Sequence, residues 1–192
     1  PNFAMIYNNL GTIYKSRKDY TKAEDLYKKS IQLNDNIPET RNNLGNLYID
    51  LEKHNEAINN FKRSIEINPK FYVAYYNLGI LYKSLGQFNE SIKNFNESIK
   101  LNPKFYQAHR TFSQVHKYKS KDKHIKVMED LYKNIDKDYN GKMELSFSLG
   151  KAFDDIKNFK KAYKYLAQGN KIRRENIQFS KKKERKEEAR QC

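Results

Sequence analysis

Apolar residues return at helical spacing from the start of the chain. Within Ile6–Lys15 the positions Ile6, Leu10, Ile13 and Tyr14 follow i, i+4, i+7 and i+8, which is one face of a helix. Further along, Ile125, Met128, Leu131, Tyr132 and Ile135 mark another such face, with Asp122 placed as its N-cap. Polar residues fill the opposite positions, so the pattern predicts a succession of amphipathic helices.

The helices repeat. Leu-Gly followed three residues later by Tyr occurs at Leu10-Gly11…Tyr14, Leu44-Gly45…Tyr48 and Leu78-Gly79…Tyr82, at a step of 34 residues. Tyr27, Phe61 and Phe95 keep that step, as do Ser30, Ser64 and Ser98, and Ile31, Ile65 and Ile99. Ala23 and Ala57 are followed in their column by Ser91, and Asn-Pro-Lys-Phe stands at Asn68–Phe71 and again at Asn102–Phe105. Gly11, Gly45 and Gly79 fall mid-helix, where glycine costs about 1 kcal/mol against alanine. Close approach of a second helix explains them, with Ala23, Ala57 or Ser91 expected to face the glycine. Pro69 and Pro103 end one unit and set the turn into the next. Each helix pair leaves an apolar face open, which stacking on neighbours must bury.

These columns resemble the tetratricopeptide repeat family, whose unit is two antiparallel helices. The resemblance implies an all-α, right-handed superhelical solenoid of helix-turn-helix repeats. The expected units are 4–37, 38–71 and 72–105, then a degenerate, expanded unit over 106–142 and a repeat-like unit over 143–176. In that last unit Leu149-Gly150, Phe153, Phe159, Ala162 and Leu166 fall in the repeat columns. Residues 1–3 read as the end of a preceding repeat and 177–192 as a basic tail or helix extension, so the chain is expected to be a piece of a longer solenoid. Three departures stand out: Asp35 where Pro is usual, and Arg41 and His54 where large apolar residues are.

The resemblance also implies a function. In the family, the first helices of successive units line a concave groove that holds a peptide or a partner helix. The groove-facing residues expected here are Asn9, Asn43 and Asn77, joined by Asn42, Asn46 and Tyr76, with Lys83 and Arg110 supplying charge. Asn8 lies next to the ladder, and Lys15 and Lys117 add to that positive charge. An asparagine amide donates and accepts, so a ladder of amides can bond a peptide backbone whatever its side chains. A similar ladder is used by the repeat region of the O-linked N-acetylglucosamine transferases. The carboxylate clamp of chaperone-binding members is incomplete, since Asn8 and Thr12 stand where it has Lys and Asn.

A second resemblance covers Ala108–Ser180. Ala108-His109-Arg110, Asp122–Ile125, Phe147–Asp155 and Gly169–Arg174 follow the order seen in bacterial proteins whose tetratricopeptide repeats precede a sulfotransferase domain. This implies an alternative role, as the substrate-recruiting region of a sulfotransferase or glycosyltransferase whose catalytic domain lies outside this chain. It assigns no catalytic residue here.

Composition narrows the classes. The 192 residues are 38% hydrophobic, and the longest apolar run, Phe71–Tyr76, is six residues, against about 20 needed to span a bilayer. Regularly spaced aromatics, at 14% of the chain, argue against disorder. The net charge of +15 comes from 30 Lys and only 8 Arg, whereas base readout favours Arg. Residues 1–116 carry a net +5 and residues 117–192 a net +10. Nucleic acid is therefore not the expected partner; an acidic or carboxylate-bearing protein or peptide is. The single cysteine, Cys192, excludes an intrachain disulfide and a cysteine-based metal site. His54, His109, His116 and His124 lack metal-ligand spacing and read as surface or inter-helix residues. Adjacent Asp154 and Asp155 splay apart on a helix, and no glycine-rich phosphate loop occurs. The sequence thus predicts no catalytic residue, no metal, no cofactor and a cytoplasmic, non-catalytic scaffold. No basic-then-apolar leader opens the chain.

Overall fold

The computed structural model describes the backbone of residues 3–188 and the side chains up to residue 177. The expected end of a preceding repeat at Pro1-Asn2 and the terminal Cys192 lie outside the described residues, as do the side chains of the basic tail. Among the described residues there are ten helices and no strand. None of these helices is long and apolar enough to cross a membrane. The chain divides into two compact units, Pro1–Pro103 and Lys104–Cys192.

The first unit holds α1 (Phe3–Ser16), α2 (Tyr20–Leu33), α3 (Pro38–Asp50), α4 (His54–Ile67), α5 (Tyr72–Ser84) and α6 (Phe88–Leu101). They form three hairpins, α1 with α2, α3 with α4 and α5 with α6, and each hairpin's second helix packs on the next hairpin's first. The core is continuous across them, from Ala23 and Tyr27 through Leu44, Leu47 and Phe61 to Leu78 and Leu81. This is the stacking that a repeat with one open apolar face requires.

The close approach expected at the glycine column is present, and an aromatic ring makes the tightest part of it. A Cβ at Gly11, Gly45 or Gly79 would meet, at 2.7–2.8 Å, the ring of Tyr27, Phe61 or Phe95. The nearest atoms to the missing side chain are thus an aromatic ring, not Ala23, Ala57 or Ser91. Those small residues are fully buried instead, and Ser91 Oγ donates to Gly79 O at 2.8 Å. The ring is too wide to share the space with a methyl group, so glycine is dictated by the aromatic column.

The turns inside the hairpins are also one design. Lys18, Glu52 and Gly86 have φ of 63°, 59° and 72°. The next residue's N–H closes on the carbonyl five residues back, as Asp19 N to Tyr14 O (3.0 Å), Lys53 N to Tyr48 O (2.8 Å) and Gln87 N to Tyr82 O (2.9 Å). This is the left-handed helix ending that glycine satisfies without strain; Lys18 and Glu52 hold it at a cost.

The second unit holds α7 (Tyr106–Val115), α8 (Lys123–Asn134), α9 (Tyr139–Asp155) and α10 (Phe159–Glu188). Its α9–α10 turn repeats the design, with Lys157 at φ 62° and Asn158 N on Phe153 O at 2.9 Å. The helix α9 starts at Tyr139, ahead of the start expected at residue 143, because Asp138 caps it by accepting from Gly141 N at 2.8 Å. The helices α7 and α8 both pack on α9 and are not a close hairpin of their own. The reason is the intervening segment: His116 is extended, and Tyr118 is buried between the helices that flank it. Asp122 caps α8, its Oδ1 accepting from His124 N at 2.9 Å. The backbone of α10 runs on to Glu188, so 177–188 extends that helix.

Candidate functional site

In the first unit the first helices α1, α3 and α5 lie side by side along one face. The two columns of amides expected there meet across the repeats. Asn43 Nδ2 donates to Asn8 Oδ1 at 3.0 Å and Asn77 Nδ2 donates to Asn42 Oδ1 at 2.9 Å. The offset is 35 residues, one more than the period, because each amide reaches back to the neighbouring column of the preceding unit. Asn8 Nδ2 also donates to Asn9 Oδ1 at 3.3 Å. Asn8 and Asn42 are buried, Asn43 and Asn77 are half-buried, and Asn9 is exposed. The inner column therefore anchors the outer one.

This modifies the expected ladder. Each cross-repeat bond uses one N–H of the outer asparagine, whose amide carries a second N–H and a carbonyl besides. Asn42 is a buried support rather than a groove-facing group. Asn46 is half-buried one turn further along α3, and the half-buried Tyr76 leans its ring toward Phe95 at 5.8 Å and 49°. Thr12 ties the face to the core, sharing a hydrogen bond of 3.2 Å with Tyr27 OH.

Most of the expected cations are committed within the chain. Lys15 Nζ is 2.7 Å from Asp50. Arg110, in the second unit, lies 3.8 Å from Glu144 and 5.0 Å from the Phe147 ring. Lys117 Nζ is 2.8 Å from Asp155. Lys83 is half-buried in the last turn of α5. Charge on the face of the first unit is balanced in part, since Asp50 pairs with Lys15.

The histidines form a network. His109 lies between helices, one of the two placements expected of it, and is fully buried. Its Nδ1 lies 2.8 Å from His124 Nε2, and His124 Nδ1 lies 2.8 Å from Tyr118 OH. A neutral His124 satisfies both by accepting from Tyr118 and donating to His109. Burial, then the neighbouring His109, pulls the His124 imidazole down to about 3. Alongside, His116 Nε2 is 2.6 Å from Asp122 Oδ2. Burial favours the neutral form of the Asp122 carboxyl, but the His116 and His124 N–H bonds hold it below its ordinary value. Asp155 is also placed structurally, accepting from Lys117, Lys151 and Tyr118 N and pinning the 116–122 segment to α9. Residue spacing gave no signal for this network, because its members come from α7, a loop and the start of α8. Among the described residues no group of three or more His, Cys, Asp or Glu is placed to hold a metal ion.

With the geometry in place, comparison with known proteins adds the following. Models of the tetratricopeptide repeat match residues 2–70 and 72–105, together more than half of the chain. Both matches lie N-terminal to 108–180, so neither bears on the transferase-linked resemblance expected for that stretch. No curated protein matches. Among solved structures, the chain resembles MamA with TM-score 0.62 at 23% identity, over 93% of this chain and 96% of that one. It resembles YrrB, described as a TPR protein with an unusual peptide-binding site, with TM-score 0.65 at 19% identity, over 93% and 92%. The first TPR of Spaghetti (RPAP3), bound to the HSP90 peptide SRMEEVD, gives TM-score 0.56 at 21% identity over 59% of this chain and 90% of that one. At these identities the likeness is one of fold.

Proposed function

Since the chain belongs to the tetratricopeptide repeat family, we propose that it is a non-catalytic scaffold that holds a protein segment in extended form across α1, α3 and α5. The observation that carries this reading is the pair of side-chain hydrogen bonds from Asn43 to Asn8 and from Asn77 to Asn42. They fix the outer amides in orientation before any ligand arrives, which lowers the ordering cost of binding. Packed helices stand roughly 8–10 Å apart, and an extended chain advances about 3.3 Å per residue. One asparagine therefore meets about every third residue of the bound backbone. Each such bond contributes about 1 kcal/mol net, so side-chain contacts with Tyr76 and Asn46 must supply the rest.

Two similar folds, YrrB and the first TPR of Spaghetti, are described as binding peptides, and that supports the same role here. The chain's charge of +15 favours an acidic or carboxylate-bearing partner through long-range attraction. Because most expected cations are already paired, that preference acts on the encounter more than on the bound complex.

The test is a peptide selected from a random library against the full chain, followed by calorimetric titration with backbone N-methylated versions. Methylation removes the peptide's donors and leaves the protein's own side-chain hydrogen bonds untouched. Loss of about tenfold or more in affinity at about every third position supports backbone recognition. Equal affinity of methylated and parent peptides contradicts it.

A further inference from the structure

The helix α10 packs one side on α9, burying Ala162, Gly169 and Ile172. A second stripe on the same helix is open. Phe159 is 64% exposed, Tyr163 76%, Leu166 37% and Ile177 47%. At 100° per residue these four fall within a narrow sector and, at 1.5 Å per residue, span about 27 Å of helix. Leu166 stands in the column of Phe61 and, like it, lies against its own hairpin's glycine, here Gly150, so it forms the inner edge of the stripe. Tyr163 stands in the column of Ile58, which packs against the shared core of the first unit. In the first unit such columns belong to α2 and α4, each of which receives another helix. The α10 stripe therefore has the form of a helix-receiving surface.

Its flanks are basic. Lys160, Lys164 and Arg174 line one edge of the stripe and Arg173 the other, and none of them pairs with a described carboxylate. Lys161 is turned away to Glu129 at 3.0 Å. We propose that this stripe binds an amphipathic helix of another protein, with apolar residues at i, i+4 and i+7 and Asp or Glu beside them. A second copy of this chain suits the surface less well. Its exposed apolar helix α1, with Phe3, Ile6 and Ile13, contains no acidic residue, and each copy carries +15. Like charges of that size oppose self-docking. The site is separate from the α1–α3–α5 face and does not depend on it.

The experiment uses the full chain and a fluorescein-labelled synthetic helix of about 18 residues, with Leu at the apolar positions and Glu at the flanks. Controls are a scrambled peptide of equal composition and a twin with Lys at the flanks. The expected result is saturable binding of the Glu-flanked helix alone, weakened about tenfold or more by Tyr163→Ala. The double variant Lys160→Glu/Lys164→Glu should lose the Glu-flanked helix and gain the Lys-flanked one. Tyr163 is mostly exposed, so its replacement leaves folding intact, and circular dichroism verifies this. Equal binding of the scrambled peptide overturns the proposal, and so does an unaffected Tyr163→Ala variant. Light scattering that shows a dimer abolished by Tyr163→Ala also overturns it, by giving the stripe to a second copy.

Discussion

Arg41 grips Asp35: Nε lies 2.8 Å from Asp35 Oδ1, and Arg63 reaches the other carboxylate oxygen at 3.4 Å. These are two of the three places where the chain leaves its repeat pattern. Asp35 stands where the later units have Pro69 and Pro103, and Arg41 stands in the column of Tyr7 and Tyr75. One departure answers the other. Burial favours the neutral form of the Asp35 carboxyl, but the two guanidinium groups hold it below its ordinary value.

The pair should be coupled energetically. In a double-mutant cycle with Asp35→Ala and Arg41→Ala, urea unfolding should give a coupling of about 0.5–1 kcal/mol that shrinks with added salt. Strict additivity would mean that the two departures are independent.

Gly45→Ala tests the glycine column. Helix propensity alone gains about 1 kcal/mol, but the new methyl group would lie 2.7 Å from the ring of Phe61, which has no free space. Overpacking of that kind costs about 1–3 kcal/mol. The variant should therefore unfold at lower urea, and a stabilised variant would contradict the packing described.

The serine column separates a satisfied hydroxyl from an orphan. Ser64 Oγ donates to Pro38 O at 2.7 Å, whereas Ser98 Oγ is buried without a partner. Ser64→Ala should cost about 1 kcal/mol, and Ser98→Ala should be neutral or mildly stabilising. Thermal melts of the two variants give the comparison directly.

Periodic features were legible because they follow from local rules. The 34-residue step, the hairpins of the first unit and the Asp122 cap all rest on spacing along one helix. The amide columns were legible as columns, but not their bonds, which join one unit to the next at a different offset. The second unit resisted for the same reason. His109 stands in the column of Tyr7 and Arg41, yet its burial depends on His124 and Tyr118, which arrive from another helix and a loop. The excess of lysine implies an electropositive face, but Asp50, Glu144 and Asp155, distant in sequence, claim Lys15, Arg110 and Lys117.

The His124 network predicts a pH dependence. His124 titrates at about 3 in the folded chain, against 6.5 as its ordinary value. The unfolded chain therefore binds the proton more readily, and stability is complete above pH 6.5 and falls between there and about 3. The slope should approach about 1.4 kcal/mol per pH unit. In His124→Phe the slope between pH 6 and 4.5 should flatten, whatever the effect on stability at neutral pH. Urea unfolding at a series of pH values checks this, and an unchanged slope would contradict the neutral, buried state of His124.

The central claim is that prearranged asparagine amides hold a peptide backbone. Side-chain amide resonances of Asn9, Asn43 and Asn77, followed by nitrogen-15 NMR while the selected peptide is added, read it most directly. The account predicts that the three resonances move together and saturate, and that N-methylated peptide leaves them in place. Binding that shifts only resonances of other helices, with these three amides unmoved, would contradict it.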